Sequence, residues 1–289
     1  MKPKKRTLIV FLTPCVFLFL FVYLFPLIMV IVTSFFNWRI GENVFFVGLA
    51  NYMKGVADPN VQAACWHTMI WVILQSTIHV LLGTVLALIL LPRFKGWKIF
   101  RTVCMLPNVI STAALAMVLL NVFKTDSGLL NEILRLFTGS KVDINWYFNA
   151  DTAFFSVMAG WLLYPGMITI LMLAAMQSVP EDILEAAKLD GATSWQINTR
   201  IVLPMVRNTL GTSVIVAATS MLKEFELIYL TTNGGPGNAT LNFPLYIYKT
   251  AFTENNYGYS NALSVMLIII GVAIVMLINK MFRMDQSDY

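Results

Sequence analysis

The sequence has little charge for its length. Of its 289 residues, 12% are Asp, Glu, Lys or Arg, and 58% are hydrophobic. A soluble globular chain normally carries about 25% charged residues, so this chain has about half the charge that covers a water-facing surface. The mean hydropathy of +0.72 points the same way. The composition excludes an ordinary soluble domain and indicates a membrane protein.

Cysteine and histidine are also scarce, with 3 and 2 residues respectively. Cys15, Cys65 and Cys104 have no CxxC spacing and no neighbouring His cluster, which argues against a disulfide framework and against a zinc site. We therefore expect no bound metal. His79 lies inside an apolar window and is interpreted as a hydrogen-bonded packing residue rather than a ligand.

Catalytic and nucleotide-binding patterns are missing as well. No Ser/His/Asp or Cys/His arrangement is recognisable, so no catalytic residue is predicted. No GxxxxGK(S/T) phosphate-binding loop occurs, so any nucleotide must bind to another chain. We expect this chain to be neither an enzyme nor a cofactor carrier.

Long uncharged windows are what the sequence does have. A bilayer core about 30 Å thick is crossed by about 20 apolar residues in a helix. The first window is longer than the about 7–15 apolar residues of a secretory signal, so we interpret it as an uncleaved helix, bent by Pro14 and Pro26. The windows predict an all-α, polytopic membrane protein with six transmembrane helices: Leu8–Thr33, Met69–Leu91, Thr102–Phe123, Thr152–Val179, Asn208–Leu230 and Ala262–Ile278.

The distribution of Lys and Arg predicts the orientation, because positive residues are retained on the cytoplasmic side. With the N-terminus inside, the inner segments carry thirteen Lys and Arg residues, including Lys2, Lys4 and Arg283, and the outer segments carry six. Both termini are therefore predicted to be cytoplasmic. The net charge of +5 follows from this orientation and does not require nucleic acid as a partner.

The inner segment 177–207 is too long for a simple reversal between two spans. Pro180 suits a first helical position, and Gly191 suits the left-handed residue after a helix. These residues predict a short helix on the cytoplasmic side. Its apolar stripe is expected to consist of Ile183, Leu184, Ala187 and Leu189.

A second short helix is predicted after the first one. Thr193 or Ser194 is expected to cap it, and Leu203-Pro204 is expected to end it. The whole segment would then form a helix-turn-helix at the cytoplasmic mouth. A plain interfacial amphipathic helix that covers exposed span ends is the alternative interpretation.

Three elements of this segment have a specific spacing. Glu185-Ala186-Ala187 is followed after three residues by Gly191, and nine further residues precede Ile201-Val202-Leu203-Pro204. This pattern resembles the EAA motif (EAA, x3, G, x9, I-x-L-P) of binding-protein-dependent ABC importer permeases, although many carbohydrate permeases carry an aromatic residue where this chain has Asn198. The resemblance implies that the residues that couple the chain to an ATPase are Glu185, Ala186, Ala187, Asp190, Gly191, Ile201, Leu203 and Pro204.

A second stretch, Thr232-Asn-Gly-Gly-Pro-Gly237, follows the fifth window. By its residues alone it is a turn cluster, in which glycines permit positive φ and Pro236 fixes one bend. It is similar to the TNGGPG segment of maltose-type and glycerol-phosphate-type sugar permease subunits. An amino acid or peptide permease would share the EAA pattern, so this stretch is what favours carbohydrate as the cargo.

The resemblance covers nearly the whole chain and implies a type I ABC importer permease fold in the cell membrane. Residues 1–66 would contain the cytoplasmic N-terminus, the first transmembrane helix and the first external loop. Residues 67–283 would form a five-helix permease core with the coupling loop 177–207, and 284–289 a cytoplasmic tail. The implied partners are a second homologous permease, two ABC ATPases that bind ATP and Mg, and an extracytoplasmic solute-binding protein, which together import a carbohydrate by alternating access.

Polar residues inside the windows are candidates for the cargo path, because ionisable groups within a membrane usually face a bundle interior or an aqueous cavity. Lys223, Glu224 and Glu226 interrupt the fifth window. Sugars bind through aromatic faces against their C–H sides and through amides or carboxylates that bridge their hydroxyl groups. The candidates with this chemistry are Trp161, Tyr164, Lys223, Glu226, Tyr229, Asn108 and Gln75.

Structural interpretations of these candidates stay open. Lys223 and Glu226 can neutralise each other across one helical turn. Trp161 and Tyr164 can pack between helices beside Pro165-Gly166, and Asn108 can satisfy a carbonyl freed by the preceding proline.

Two other classes of protein compete with the importer hypothesis. A secondary transporter needs inverted repeats and a coupling-ion site, and an intramembrane enzyme needs a nucleophile or a metal cluster. The sequence offers neither set of features.

Overall fold

The computed structural model describes residues 5–162, 164–282 and 284. Lys2, Lys4 and Arg283, which enter the charge count, and residues 285–289 of the predicted tail lie outside the described residues. Helices dominate. The α-helices are Lys5–Phe19, Phe25–Thr33, Ala50–Ala57, Pro59–Leu74, Val80–Leu90, Trp97–Val109, Thr112–Val122, Leu129–Thr138, Ala150–Leu162, Gly166–Gln177, Glu181–Leu189, Ser194–Ile197, Leu203–Met205, Arg207–Leu222, Glu226–Thr231, Phe243–Tyr248 and Tyr257–Phe282.

Short elements of other kinds interrupt this pattern. One two-stranded antiparallel sheet pairs Phe36–Asn37 with Phe45–Phe46, and Phe36 lies opposite Phe46. The π-helical segments are Leu20–Leu24, Gln75–His79, Asn198–Val202 and Lys249–Thr253.

Among the described residues, three helices are long and apolar enough to cross a membrane by themselves, namely Val10–Thr33, Pro59–Leu90 and Tyr257–Phe282. The number of candidate spans rises to six if each bent helix pair is counted as one span. The prediction of a mainly helical membrane protein is confirmed. The bent pairs are Trp97–Val109 with Thr112–Val122, Ala150–Trp161 with Gly166–Gln177, and Ser194–Met205 with Arg207–Thr231.

The predicted span Thr102–Phe123 is not one straight helix, because the chain turns by 100° inside this window. Pro107 lies in the last turn of the first helix, and Ile110 is extended with φ −72° and ψ 139°. The Ser111 hydroxyl then starts a new helix by accepting a hydrogen bond of 3.3 Å from the N–H of Ala114. Residues 152–179 likewise form two helices, bent by 40° next to Pro165.

The first window remains a single span through both of its prolines. Pro14 lies within Lys5–Phe19, and Pro26 lies in the first turn of Phe25–Thr33. A proline in a first turn lacks only an N–H that would have no helical partner there. The π-helical segment Leu20–Leu24 directly precedes this turn.

The chain divides into two compact units, each described here by itself. The first unit comprises the residues up to Gln62 together with Tyr246–Ile270. In it, the Asp58 carboxylate accepts hydrogen bonds from the hydroxyls of Tyr246 at 2.7 Å and Tyr259 at 2.9 Å. Partial burial opposes ionisation of Asp58, but these bonds and the N–H of Asn60 outweigh it and lower the pKa of the carboxyl group.

The second unit comprises Ala63–Leu245 and the chain from Gly271 onward. Its core includes the fully buried residues Ala87, Leu90 and Met172. Gly83 lies where Val80–Leu90 crosses Gly166–Gln177, and a Cβ built on it would meet Ile168 at 2.7 Å. Small residues of this kind let helices approach each other closely within a membrane.

Candidate functional site

Residues 181–205, called the elbow from here on, contain the two predicted cytoplasmic helices. Pro180 is the residue before the helix Glu181–Leu189 rather than its first residue. Gly191 has φ +78°, the left-handed conformation expected after this helix. Thr193 starts the second helix with a capping box, since its side chain accepts from the N–H of Gln196 and the Gln196 side chain accepts from the N–H of Thr193.

The second helix does not end at Leu203-Pro204, as predicted, but continues to Met205. The π-helical segment Asn198–Val202 comes directly before this stretch, and Pro204 lies in the first turn of the short helix that follows. The helical run is continuous through Val202, so Pro204 cannot donate a hydrogen bond to the preceding turn, which is the π-helical one. At Val206 the chain then bends by 70° into Arg207–Thr231.

One side of the elbow is anchored to the core of the second unit. Leu184 and Ala187 pack against a buried cluster in which Ile197 and Val202 of the elbow join Leu90 and Met176 of the membrane helices. The predicted apolar stripe is wrong for Leu189, which is 90% exposed, because two residues after Ala187 a helix has turned to its opposite face. Ile183 is also an exposed side chain, with 40% of its surface accessible.

The other side of the elbow faces outward and carries most of the EAA residues. Glu185, Ala186 and Asp190 are exposed on it. Of the remaining predicted coupling residues, Gly191 and Pro204 are exposed, whereas Ala187, Ile201 and Leu203 are half-buried. Two large apolar side chains, Leu189 and Trp195, accompany this surface, and Trp195 is 74% exposed. The elbow therefore presents an apolar and acidic surface without a covering element among the described residues.

A cavity of about 220 Å³ lies within the second unit. It brings together four of the seven predicted path residues, namely Gln75, Asn108, Trp161 and Tyr164. Lys223, Glu226 and Tyr229 do not line it. The polar and aromatic residues of its wall are Gln75, His79, Asn108, Thr112, Trp161, Tyr164, Ser220 and Glu224.

Sequence reasoning did not include His79, Thr112, Ser220 and Glu224 among the path residues. A usable signal was present for His79, because Gln75 and His79 are four residues apart and so fall on one helical face. His79 was interpreted as a packing residue. The structure buries it but also places it on the cavity wall.

A break in the fifth span explains why Glu224 rather than Glu226 reaches the cavity. The helix ends at Leu222, and the next helix begins only at Glu226. Glu224 lies between them, and its carboxylate accepts a 3.1 Å hydrogen bond from the N–H of Leu227. Because the helix is interrupted, the three-residue spacing of Lys223 and Glu226 does not bring them together, and no ion pair among the described residues joins them.

Aromatic rings support the cavity wall. Trp161 is 5% exposed and meets Trp71 edge to face at 4.8 Å, so it does pack between helices while also lining the cavity. Its indole N–H and the Nδ1 atom of His79 are buried without a hydrogen-bond partner in the described part of the chain. Buried polar atoms without partners beside a cavity are groups that a polar ligand can satisfy.

The TNGGPG stretch forms the predicted turn cluster. Gly234 and Gly237 have positive φ, and so do Asn233 and Asn238. The hydroxyls of Thr232 and Thr240 close the cluster with a 2.6 Å hydrogen bond. The stretch returns the chain to the break in the fifth span, where the side chain of Asn242 donates to the backbone carbonyl of Glu224.

Residues 79–284, which include the elbow and most of the cavity wall, match the family described as "Binding-protein-dependent transport system inner membrane component". The chain belongs to this family. It is thus a multi-pass inner-membrane permease component of an ABC transporter, and it is not the catalytic subunit, since the ATPase of such a transporter is a separate chain.

Relatives within the family have names that refer to sugars. The multiple sugar-binding transport system permease protein MsmF of Streptococcus mutans is 32% identical, over 92% of this chain and 91% of that protein. The trehalose/maltose transport system permease protein MalF of Thermococcus litoralis is 31% identical, over 83% of this chain and 81% of that protein.

A solved structure shares the fold of this permease component. It is a chain of a bacterial alginate ABC transporter in complex with an alginate pentasaccharide-bound periplasmic protein, and the TM-score is 0.85. The two chains are 21% identical, and the similarity covers 97% of this chain and 95% of the other. The predicted type I ABC importer permease fold is confirmed.

Proposed function

We propose that this chain is the permease subunit of an ATP-driven importer for a sugar or oligosaccharide. It works by alternating access with a second homologous permease, and an extracytoplasmic solute-binding protein delivers the cargo. Two ABC ATPase subunits bind ATP and Mg and drive the cycle through the elbow, and this chain itself binds no cofactor.

The observation that carries the proposal is the two-sided elbow. Leu184 and Ala187 attach it to the permease core, while Glu185, Leu189 and Trp195 face outward. A large exposed aromatic side chain is typical of the centre of a protein interface. A separate ATPase docked on this surface could therefore transmit its movement to the membrane helices.

The predicted topology places the elbow on the side where ATP is available. We propose six spans, each bent helix pair counting as one, with both termini in the cytoplasm. Residues 1–66 then contain the first span, 67–283 the permease core with the loop 177–207, and 284–289 the tail. A membrane-impermeant label that reached the elbow from outside intact cells would contradict this orientation.

The cavity supports carbohydrate as the cargo. Amide groups of Gln75 and Asn108 can bridge sugar hydroxyls, and the rings of Trp161 and Tyr164 can cover C–H faces. The names of MsmF and MalF, which refer to sugars, support the same class. Lys223, Glu226 and Tyr229, which lie outside the wall, are proposed only as part of the route toward the cavity.

The coupling role is tested by purification through a tag on this chain. Glu185→Lys and Leu189→Asp should abolish co-purification of the ATPases and saccharide-stimulated ATP hydrolysis. Asp126→Lys is the matched control, because it reverses a charge on an exposed residue outside the elbow. If both elbow variants retain the ATPases at wild-type yield, the coupling proposal is wrong.

A second measurement separates the importer from a secondary transporter. Uptake of saccharides into proteoliposomes should require the ATPase subunits and ATP. Uptake that continues without them would favour an ion-coupled carrier instead.

A further inference from the structure

The wall of the cavity lacks a basic side chain. Among the described residues that line it, the ionisable ones are Glu224, His79 and Tyr164, and neither Lys nor Arg is present. The adjacent Lys223 is exposed and does not contribute to the wall. Any cargo in this cavity therefore meets an acidic group without meeting a lysine or an arginine.

The charge balance of the wall is zero or negative. With a neutral imidazole on His79, an ionised Glu224 would give the described wall a net charge of −1. If His79 carried an imidazolium, an ionised Glu224 on the same wall would balance its positive charge, and the net charge would be zero.

Glu224 also has a free hydrogen-bonding capacity toward the cavity. A carboxylate has two oxygens and can accept several hydrogen bonds. In Glu224, Oε1 accepts one such bond, from the N–H of Leu227. The remaining capacity suits hydroxyl donors, which every neutral sugar supplies. Gln75, Asn108 and Ser220 extend the same neutral, hydroxyl-binding chemistry around the wall.

An acidic cargo meets no Lys or Arg among the described residues of this wall. A carboxylate or phosphate that leaves water must be paired or hydrogen-bonded by donors, or its desolvation disfavours binding strongly. Arg and Lys are the usual partners of such groups. The alginate importer that shares the fold takes an acidic polysaccharide according to its description, but at 21% identity the shared fold does not transfer this preference.

We infer that Glu224 sets the charge selectivity of the cavity, so that the cargo is an uncharged saccharide and uronates and sugar phosphates are rejected. This inference rests on the proposed import of a carbohydrate. It goes beyond that proposal, because it assigns one residue to the discrimination between neutral and acidic sugars.

The first experiment measures the charge preference of the cavity without any knowledge of the cargo. Ser220→Cys is introduced into the full transporter complex after replacement of the three native cysteines by alanine. Ser220 is exposed to the cavity and lies four residues before Glu224. The new thiol is reacted with an anionic and with a neutral methanethiosulfonate reagent, and the ratio of the two rates is recorded. Because both reagents react with the thiolate, a change in the thiolate fraction cancels in this ratio.

At Ser220→Cys, the ratio of the anionic to the neutral rate should be about tenfold lower than at Ser127→Cys, which is an exposed site outside the cavity. This difference is the effect of one unit charge at short range. When Glu224→Gln is added to Ser220→Cys, the ratio at Cys in position 220 should rise toward the value at position 127. Asp126→Asn, added in the same way, should leave the ratio at position 220 unchanged. An equal ratio at both sites, or a ratio that Glu224→Gln does not change, would overturn the inference.

The second experiment uses transport and keeps the two proposals distinguishable. Proteoliposomes with the complete complex and its binding protein are offered neutral saccharides together with the matching uronates and sugar phosphates. Uptake of a neutral saccharide supports the inference, and preferred uptake of an acidic member overturns it while leaving the importer assignment intact. If no saccharide is imported, the proposed cargo class fails, and the inference about the cargo fails with it.

Discussion

The side-chain amide of Asn242 donates a hydrogen bond to the backbone carbonyl of Glu224 and so joins the turn cluster to the break in the fifth span. The same side chain accepts a 3.1 Å hydrogen bond from the N–H of Leu245. Asn242 is fully buried. One residue therefore satisfies two backbone groups that the interrupted helix and the returning chain would otherwise leave without partners.

Asn242→Ala should destabilise the protein and reduce transport. Loss of a buried hydrogen-bonding group that leaves its partners unsatisfied costs about 1–3 kcal/mol of unfolding free energy. Asn121→Ala is the matched control, because the exposed Asn121 amide bonds only to the carbonyl of Met117 in the preceding turn. Denaturation in detergent measures the stability, and uptake in proteoliposomes measures the transport. If both variants lose the same stability and the same transport, the hydrogen bond to Glu224 contributes no more than an exposed one.

Gly191 should be constrained by its backbone conformation rather than by space. Its φ is +78°, and a Cβ built on it meets no atom within 4 Å. A β-branched residue disfavours this conformation by about 1–2 kcal/mol, so Gly191→Val should change the angle of the elbow and reduce transport per ATP hydrolysed. Gly191→Asn should retain more coupling, since Asn tolerates left-handed backbone better.

Gly139→Val is a control for the variant at Gly191, because Gly139 also has positive φ and open space but lies outside the elbow. It should leave coupling unchanged. Membrane insertion should be normal in all three variants, and a Gly191→Val protein with wild-type transport would contradict the role of the turn.

Gly83→Ala and Gly271→Ala form a matched pair that tests helix packing. A Cβ on Gly83 would overlap Ile168 at 2.7 Å, whereas a Cβ on Gly271 would reach Leu222 at an ordinary 3.4 Å. Overpacking of a close helix contact typically costs about 1–3 kcal/mol, so only the Gly83 variant should lose thermal stability in detergent. A stable Gly83→Ala protein would mean that these helices can separate freely.

Asp58 should make the stability of the first unit depend on acid pH. Its folded pKa is lowered from the ordinary 3.8, so its contribution is complete above pH 3.8 and is lost as the pH falls through the folded pKa. The wild type should therefore be more stable than Asp58→Asn at neutral pH, and the difference should shrink as the pH falls below about 4. Melting temperatures measured at a series of pH values test this, and a constant difference would assign the effect to packing instead of charge.

Hydropathy predicted where the membrane helices lie but not their direction. The window Thr102–Phe123 carries no charge, and its mean hydropathy does not reveal that Ile110 is extended and that Ser111 starts a new helix. Direction depends on a few backbone dihedral angles, whereas hydropathy averages over about 20 residues. The break after Leu222 escaped prediction for the same reason, and this moved the cavity carboxylate from Glu226 to Glu224.

The elbow was predicted more closely than the spans because its boundaries depend on local chemistry. Proline before a helix, glycine after it and a threonine cap act within one turn, so Pro180, Gly191 and Thr193 could be interpreted without knowledge of the rest of the fold. The outward position of Leu189 was missed although it follows from local geometry, since a residue two positions after Ala187 lies on the opposite face of the helix.

The 70° turn at Val206 makes the elbow and the fifth span two arms of one bent lever. The membrane arm, Arg207–Leu222, has 16 residues. At about 1.5 Å per residue it is about 24 Å long, and it ends beside Glu224. In the proposed transport cycle, a tilt that an ATPase imposes on the elbow would also move the far end of this membrane arm, which lies beside Glu224 and the cavity.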